Sequence, residues 1–320
     1  KTMTTTDPIV RHSQKPKEQQ RQRRLSTVSH AEEIARCVSS FYVMHPRHQY
    51  LFSLVFKTIS AAVWFADSRV YATPFGSVVC GTAVLGISDV DICVSYPDNV
   101  VREPGWMNRL LSDIAREIQT RISVCSVRVH TRENAPPIIY AVIPVMGVNM
   151  RVDIVIGRAV ERCAATRWSS AVCKELPVVI AIVRAVKVIL FNNGLLARQS
   201  LGGVSSFVLF NVVVALLRRM RLSGDAPDCC DNSPTGTLAV FIAIMKALAD
   251  LPYGCVLSAA STVEPQTPCP HHVEKCGVHQ IHVTDPTKFG RDCARRVACW
   301  HQIKNAAATY CVALSAVDIL

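Results

Sequence analysis

The sequence predicts an α+β protein in which a mixed β-sheet with packed helices is followed by a mostly helical half. Between residues 69 and 157, short runs rich in Val, Ile and Tyr alternate with polar positions, as half-buried strands do. After Trp168 the pattern changes to long apolar segments with helical spacing. Half of the 320 residues are hydrophobic and the mean hydropathy is +0.24, so the chain can bury a sizeable core.

The sheet half is predicted over residues 29–160. It opens with the helix "SHAEEIARCVSSFYVM", where Ser29 is an N-cap supported by Glu32 or Glu33. The residues leave open whether this helix packs on the sheet half or on the helical half. The next elements are the helix "HQYLFSLVFKTISAAVWFA", the strands "RVYATPFGS" and "SDVDICVSY", the helix "WMNRLLSDIAREIQT", and the strands "ISVCSVRVH", "IIYAVIPVM" and "RVDIVIG".

The helical half is predicted over residues 161–320. Its first long helix ends at Gly194, which suits a C-cap. Residues 222–286 include an irregular segment rich in Cys, His and Pro, and turn residues dominate from 222 to 234. The predicted helices are "KELPVVIAIVRAVKVILFNNG", "SLGGVSSFVLFNVVVALLRRM", "TGTLAVFIAIMKALADL" and "RDCARRVACWHQIKNAAATYCVALSAVDI".

The charge of the chain predicts a polyanionic partner. The net charge is +11, and residues 1–24 supply +5 of it, which leaves +6 for the rest. Residues 1–28 read as a basic flexible tail. This tail is rich in Ser, Thr and Arg and poor in acidic residues, as mitochondrial transit segments are. A mitochondrial location is therefore one expectation, and a cytoplasmic one is the alternative.

The cysteines indicate a reducing compartment, and the apolar stretches argue against a membrane span. Fourteen cysteines are scattered among apolar neighbours, which favours reduced, buried thiols over disulfides. The most apolar stretch of the chain, "PVVIAIVRAVKVILF", is interrupted by Arg184 and Lys187. No membrane span and no membrane partner are therefore predicted.

Carboxylates inside apolar strands are the strongest chemical signal. Asp89 and Asp91 are two residues apart in "SDVDICV", so on a strand they face the same side, and neither has an adjacent Lys or Arg. Asp153 lies in a second apolar strand, "MRVDIVIG". Since a buried carboxylate needs a partner, a pair of Mg²⁺ or Mn²⁺ ions is expected where the two strands meet. Two such ions serve phosphoryl or nucleotidyl transfer.

A Gly-Ser turn precedes the paired carboxylates. Gly76 allows the backbone to approach a ligand closely, and Ser77 offers a hydroxyl and an N–H group to a phosphate. Alone, Gly-Ser is usually only a turn. After a strand and shortly before an Asp-x-Asp pair, it predicts a phosphate site.

These motifs carry a resemblance to a family. "FGSVVCGTAVLGISDVDICV" with "RVDIVI" resembles the catalytic half of polymerase-β-type nucleotidyltransferases. "VKVILFNNGLLARQSLGGVSSFVLFNVVVALL" and "VTDPTKFGRDCARRV" resemble the base-recognition domain of template-independent poly(A) and poly(U) polymerases. The chain is most similar to the compact terminal uridylyltransferases of trypanosomatids, in particular the mitochondrial type associated with editosome-like complexes. The resemblance spans roughly residues 50–310 and implies transfer of UMP from UTP to an RNA 3′-hydroxyl.

The resemblance also implies a role for each matched residue. The three aspartates hold the metal ions, one aromatic ring stacks on the base, and a later carboxylate reads the N3–H group of uracil. The remaining matched residues bind the triphosphate. In order along the chain, the implied nucleotide-binding residues are Gly76, Ser77, Lys187, Ser205, Ser206, Phe207 and Asp285.

Four positions depart from the family pattern. Phe191 stands where a second phosphate-binding lysine is usual, and Lys288 stands where a glutamate is usual. Ala164 and Ala165 replace a ribose-contacting asparagine. "YAVIPV" lacks the arginine that precedes Val-Pro in the family. Base and ribose recognition are therefore expected to differ in detail from other members.

A second cluster has metal-ligand residue types. Cys269, Cys276, His279 and His282 are spaced so that they could supply four zinc ligands, but the spacing does not match a standard zinc finger. A polar loop with incidental histidines is the alternative.

Two other functions are open for the whole chain. One is a poly(A) polymerase on the same scaffold, since Lys288 weakens the argument for uracil. The other is a catalytically weak RNA-binding scaffold subunit, against which the three retained aspartates argue.

Overall fold

The structure is a computed structural model, and two groups of residues pack into two separate cores. One core lies in the sheet half and the other in the helical half. The described residues are 33–41, 44–97, 105–122, 126–132, 135–158, 163–196, 202–224, 233–260, 280–288 and 290–315.

A five-stranded mixed sheet forms the centre of the first half, as the strand patterns predict. The strands are β1 (Tyr71–Phe75), β2 (Val90–Ser95), β3 (Ser126–Arg132), β4 (Ala135–Val145) and β5 (Val148–Ile156). Their order in the sheet is β1-β2-β5-β4-β3, in which β2 and β5 are parallel and the other neighbours are antiparallel. The stretch "IIYAVIPVM" lies largely in the long strand β4.

One face of this sheet is apolar and the other is polar. Ile92 and Ile154 lie next to each other in the β2–β5 register and are fully buried. They pack with two helices, α1 (Pro46–Ala66) and α2 (Trp106–Arg121). Because side chains alternate along a strand, the aspartates next to these isoleucines point to the opposite face. The polar face of the sheet therefore borders a cleft between the two halves.

Helix α1 starts with a proline, which is favoured in the first turn of a helix. Its face containing Leu51, Val55 and Ile59 is buried against the sheet half. By length and composition, α1 is the one helix of the described residues that could cross a membrane. Of its most apolar window, 33% is buried in the fold.

The helical half has its own elements and core. Most of helix α4 (Val178–Asn192) is buried, and Lys187 and Arg184 are buried together with its apolar residues. Two short strands form a parallel pair beside the helices. The elements are α3 (Ala164–Glu175), α4 (Val178–Asn192), α5 (Ser206–Ser223), α6 (Pro234–Asp250), α7 (Trp300–Ser315), β6 (Val256–Ser258) and β7 (His282–Thr284).

Three predicted helices of this half are shorter than expected. The predicted helix from 174 to 194 is divided at Pro177, because proline has no N–H group and clashes with the preceding turn. Helix α5 begins only at Ser206, because the Ser205 hydroxyl accepts a hydrogen bond from Val208 N–H as an N-cap. The last predicted helix forms only from Trp300 onward, and residues 290–299 are turns, a bridge and extended backbone.

The first helical segment of the described chain packs on the helical half. Residues 33–40 are helical, and Ala35 and Val38 belong to the core formed by α4 and α5. The buried Arg184 side chain of α4 donates from Nη1 to the Phe41 carbonyl at 2.7 Å. The predicted N-cap Ser29 lies outside the described residues.

Candidate active site

The Gly-Ser turn lies directly against the paired carboxylates. Gly76 follows β1 with a φ of 74°, in the left-handed region that favours glycine. Its N–H group donates to Thr166 Oγ1 of α3 at 2.8 Å, which joins the two halves at this point. A Cβ atom at residue 76 would lie 2.1 Å from Asp91 Oδ2, so only glycine fits here. Ser77 follows in the turn and lines the same cleft.

The three aspartates lie on one face of the sheet, as their spacing predicts. The parallel β2–β5 register pairs Asp91 directly with Asp153. Asp89 precedes Asp91 by two residues and therefore faces the same side. Burial raises the pKa of Asp91 to about 8, and the negative charges of Asp153 and Asp89 add to the shift, while Lys187 opposes it. Without a bound cation, the site therefore disfavours the ionised form of Asp91.

Asp89 has a partner that the residue patterns did not identify as functional. Arg151 Nε lies 2.6 Å from Asp89 Oδ1, with half of the arginine side chain exposed. The contact is an ion pair, although Oδ1 accepts no well-aligned hydrogen bond from any described residue. Arg151 could have been found by the alternation that identifies Asp153, because it precedes Asp153 by two residues on β5.

Lys187 lies beneath the cleft and not on its surface. The side chain is fully buried and Nζ donates to the Thr82 carbonyl, 2.9 Å away, in the loop after the Gly-Ser turn. Burial lowers the pKa of Lys187 to about 7, and the neighbouring Asp91 opposes this shift. In the structure, Lys187 Nζ holds the loop through the Thr82 carbonyl. The contact of Lys187 with the β- and γ-phosphates remains a prediction.

The opposite wall of the cleft comes from the helical half. Ser205, Ser206 and Phe207 line it at the N-terminal end of α5, and Thr166 and Ser169 line it from α3. The cavity between the two walls has a volume of about 410 Å³. It brings together the Gly-Ser turn, two of the three aspartates and the predicted stacking ring. The third, Asp153, is half-buried beside Asp91 and is not among the lining residues.

Asp285 lies outside the described lining of this cavity. Its side chain is buried, and Oδ1 accepts hydrogen bonds from Thr287 N–H at 2.9 Å and from Thr287 Oγ1 at 2.7 Å. Arg291 Nε lies 3.7 Å from its other oxygen. The structure thus gives Asp285 a turn-stabilising position, and its reading of the base remains a prediction.

The predicted zinc ligands are mostly beyond the described residues. Cys269, Cys276 and His279 lie outside them. His282 is on β7, is buried, and has Nδ1 2.9 Å from Asp292 Oδ2. This contact gives one ring nitrogen a structural partner, and zinc binding remains a prediction.

The donor set in the cleft fits a divalent cation. Asp89, Asp91 and Asp153 offer hard carboxylate oxygens from neighbouring strands, and such oxygens suit Mg²⁺ or Mn²⁺. Burial raises the pKa of Asp91, and the neighbouring carboxylates raise it further, so a bound cation would favour its ionised form. Among the described residues, however, no three His, Cys, Asp or Glu side chains already converge tightly enough to hold a metal ion. Binding would therefore require the carboxylates to turn toward one another.

The described cysteines are free thiols, in line with the expected reduced state. Burial raises the pKa of both Cys173 and Cys293 to about 12.

Comparisons with known proteins identify the fold. The sequence matches no family model, and it matches no curated protein. The polymerase core of TRAMP, an RNA surveillance complex, has a TM-score of 0.69 at 17% identity, over 86% of this chain and 83% of that one. A cytoplasmic RNA terminal U-transferase has a TM-score of 0.67 at 14% identity, covering 90% and 94% of the two chains.

Terminal uridylyl transferase 4 from Trypanosoma brucei with bound GTP is similar in the same way. Its TM-score is 0.66 at 15% identity, over 91% of this chain and 99% of that chain. The chain therefore has the two-part fold of polymerase-β-like nucleotidyltransferases, as its motifs predict.

Proposed function

We propose that the protein is a template-independent RNA 3′-terminal nucleotidyltransferase that uses UTP. The observation that carries this proposal is the pairing of Asp91 with Asp153 beside the left-handed turn at Gly76. Paired carboxylates next to a tight Gly-Ser turn, on one wall of a cleft, are suited to nucleotidyl transfer. The fold supports the same reaction class.

The nucleotide would bind between the two walls of the cleft. Ser77 and the hydroxyls of Ser205 and Ser206 line the cavity, where they can donate to phosphate oxygens. The N-terminal end of α5 also favours negative charge at this place. Phe207 is half-buried in the same wall and offers its ring to the base. Stacking of this kind holds any base and does not select one.

The reaction joins the RNA 3′-oxygen to the α-phosphorus and releases pyrophosphate. Bound Mg²⁺ or Mn²⁺ would neutralise the triphosphate and lower the pKa of the 3′-hydroxyl. Asp89, Asp91 and Asp153 would hold the ions, and the Gly76 turn would bring the triphosphate next to Asp91.

The RNA 3′ end would reach the cleft over the polar face of the sheet. The register places Tyr140 beside Asp153, and Arg128 beside Tyr140, on the same face. Arg128 is exposed and Tyr140 is half-exposed, which suits phosphate contact and base stacking respectively. With a net charge of +11, RNA binding is expected to be mainly electrostatic and to weaken with salt.

The choice of UTP is the finer part of this proposal. It is supported by the likeness to terminal U-transferases and by the Asp-Pro motif at Asp285. A poly(A) polymerase is the second candidate, because Lys288 replaces the glutamate of the motif and the Asp285 carboxylate is already engaged by Thr287.

A single-turnover assay tests both the transfer reaction and the choice of UTP. A 3′-labelled RNA is incubated with Mg²⁺ and each of the four nucleoside triphosphates. UTP is expected to be incorporated fastest, and Asp153→Ala is expected to abolish incorporation. Asp250→Ala, which removes an exposed carboxylate at the end of α6, is the matched control and should retain activity. Faster use of ATP would refute the uridylyl assignment, and no incorporation by the wild type would favour a scaffold subunit.

We also propose a mitochondrial location and membership of a ribonucleoprotein or editosome-like complex. The basic Ser/Thr/Arg-rich tail and the family resemblance support this. Import of the labelled full chain into isolated mitochondria, followed by affinity purification, tests it. Exclusion from the organelle would refute the proposed location, and purification without RNA or other proteins would refute complex membership.

A further inference from the structure

Arg151 is placed directly in front of Asp89 by the pairing of the two central strands. The register joins Val90 to Val152, so the residues just before them, Asp89 and Arg151, are neighbours on the polar face. Arg151 Nε lies 2.6 Å from Asp89 Oδ1. The side chains of Arg151 and Asp89 are 50% and 30% exposed, so both remain accessible from the cleft.

A second contact anchors the same guanidinium group. Arg151 Nη2 donates to the carbonyl of Ile87, in the turn that leads into β2. The guanidinium group is therefore held by two contacts, one with Asp89 and one with Ile87. Since arginine remains protonated in proteins, it is a permanent positive charge at this position.

This arrangement conflicts with metal binding through Asp89. A hard divalent cation binds carboxylate oxygens at about 2.0–2.6 Å, close to the place that the guanidinium group takes at Asp89 Oδ1. Two neighbouring positive charges also repel each other. Arg151 and a cation therefore compete for Asp89.

We propose that Arg151 is a positioning residue that holds Asp89 in the metal-free protein and is displaced when a divalent cation binds. This inference rests on the proposed function, because it concerns the cation site of that reaction. Arg151 lowers the affinity for the cation by competing for Asp89. Once displaced, its guanidinium group remains in the lining of the cleft, where it can bind a phosphate group.

The test measures Mn²⁺ binding directly, by the electron paramagnetic resonance signal of free Mn²⁺ in titrations of the full chain. Arg151→Gln is expected to bind Mn²⁺ about fivefold more tightly, the scale of a partly exposed ion pair. Arg128→Gln is the matched control, because it removes the same charge from the same face but away from Asp89. It should change the affinity less than about twofold, since exposed charges at a distance are largely screened.

A third variant, Arg151→Lys, separates the effect of the charge from the effect of the side-chain shape. It also remains informative if circular dichroism shows that Arg151→Gln folds poorly. Arg151→Lys keeps the positive charge and should stay within about twofold of the wild type. Unchanged or weaker Mn²⁺ binding by folded Arg151→Gln would overturn the inference, and so would equal tightening by Arg151→Lys. A tightening as large in Arg128→Gln would also overturn it, because net charge alone would then be the cause.

The nucleotide incorporation assay distinguishes this result from failure of the proposed function. If Mn²⁺ binding responds to Arg151→Gln but no nucleotide is incorporated, the function is wrong and the ion competition stands. If nucleotide is incorporated and the Mn²⁺ isotherms of the wild type and Arg151→Gln coincide, only the proposed role of Arg151 is wrong. No Mn²⁺ binding by any of these proteins would refute both the ion competition and the metal site.

Discussion

Replacing Gly76 with alanine should move the Gly-Ser turn and the Asp91 carboxylate apart. The new Cβ atom would lie 2.1 Å from Asp91 Oδ2, 2.9 Å from Cγ and 3.2 Å from Cβ of the same side chain. Rotation of the carboxyl group could move Oδ2 but not the Asp91 Cβ atom, which is fixed to a central strand. Either the turn or the carboxylate must therefore leave its position.

The magnitude follows from two separate costs. A left-handed backbone costs a non-glycine residue about 1–2 kcal/mol, whatever surrounds it. Moving a side chain about 30° from its preferred rotamer costs about 0.5–1.5 kcal/mol more. Gly76→Ala should thus lower the free energy of unfolding by about 1.5–3.5 kcal/mol. A misplacement of about 1 Å at the reacting groups should also reduce the rate of nucleotide incorporation about 100-fold.

Gly86→Ala is the matched control in the same loop. Gly86 has a φ of 78°, and a Cβ atom there would meet nothing within 4 Å. This variant should lose only the backbone cost and keep most of its activity. Urea unfolding measures the stability of both variants, and single-turnover incorporation measures their activity. Equal losses in the two variants would show that contact with Asp91 is irrelevant, and the reasoning would fail.

Further predictions concern binding, stability and reactivity. Phe207→Ala should weaken UTP binding by about 1–3 kcal/mol in calorimetric titrations, while Phe207→Tyr should retain it; equal affinities of the alanine variant and the wild type would exclude stacking. Asp285→Ala should lower the free energy of unfolding by about 1–3 kcal/mol, because the two Thr287 donors lose their acceptor; an unchanged urea midpoint would contradict this. Since only thiolates react, and burial raises the pKa of Cys173 and Cys293 to about 12, iodoacetamide at pH 8 should modify these thiols only after unfolding, as mass spectrometry of native and denatured samples can show.

The side of the sheet on which the carboxylates lie could be predicted from the sequence. Strand alternation is a local property with a period of two, so "SDVDICV" and "MRVDIVIG" are sufficient to place Asp89, Asp91 and Asp153 on the faces opposite their apolar neighbours. The same rule would have placed Arg151 beside them. Its choice of Asp89 as a partner required the register between β2 and β5, which no single strand contains.

The partners of the buried polar groups could not be predicted in this way. The resemblance assigns Lys187 to a phosphate-binding position, but the packing of α4 against the loop directs Nζ to the Thr82 carbonyl. Gly76 N–H finds its acceptor in Thr166, ninety residues later in the chain. Such contacts depend on the docking of the helical half onto the sheet half, and local patterns do not encode that geometry.

The sequence by itself therefore determined which chemical groups the proposed reaction would use. Its carboxylates, its Gly-Ser turn and its aromatic ring after Ser-Ser are each defined by a few adjacent residues. Only the tertiary structure decided how these groups are engaged. Asp89 is held by Arg151 and Asp285 by Thr287, because long-range packing sets which donor stands in front of which acceptor.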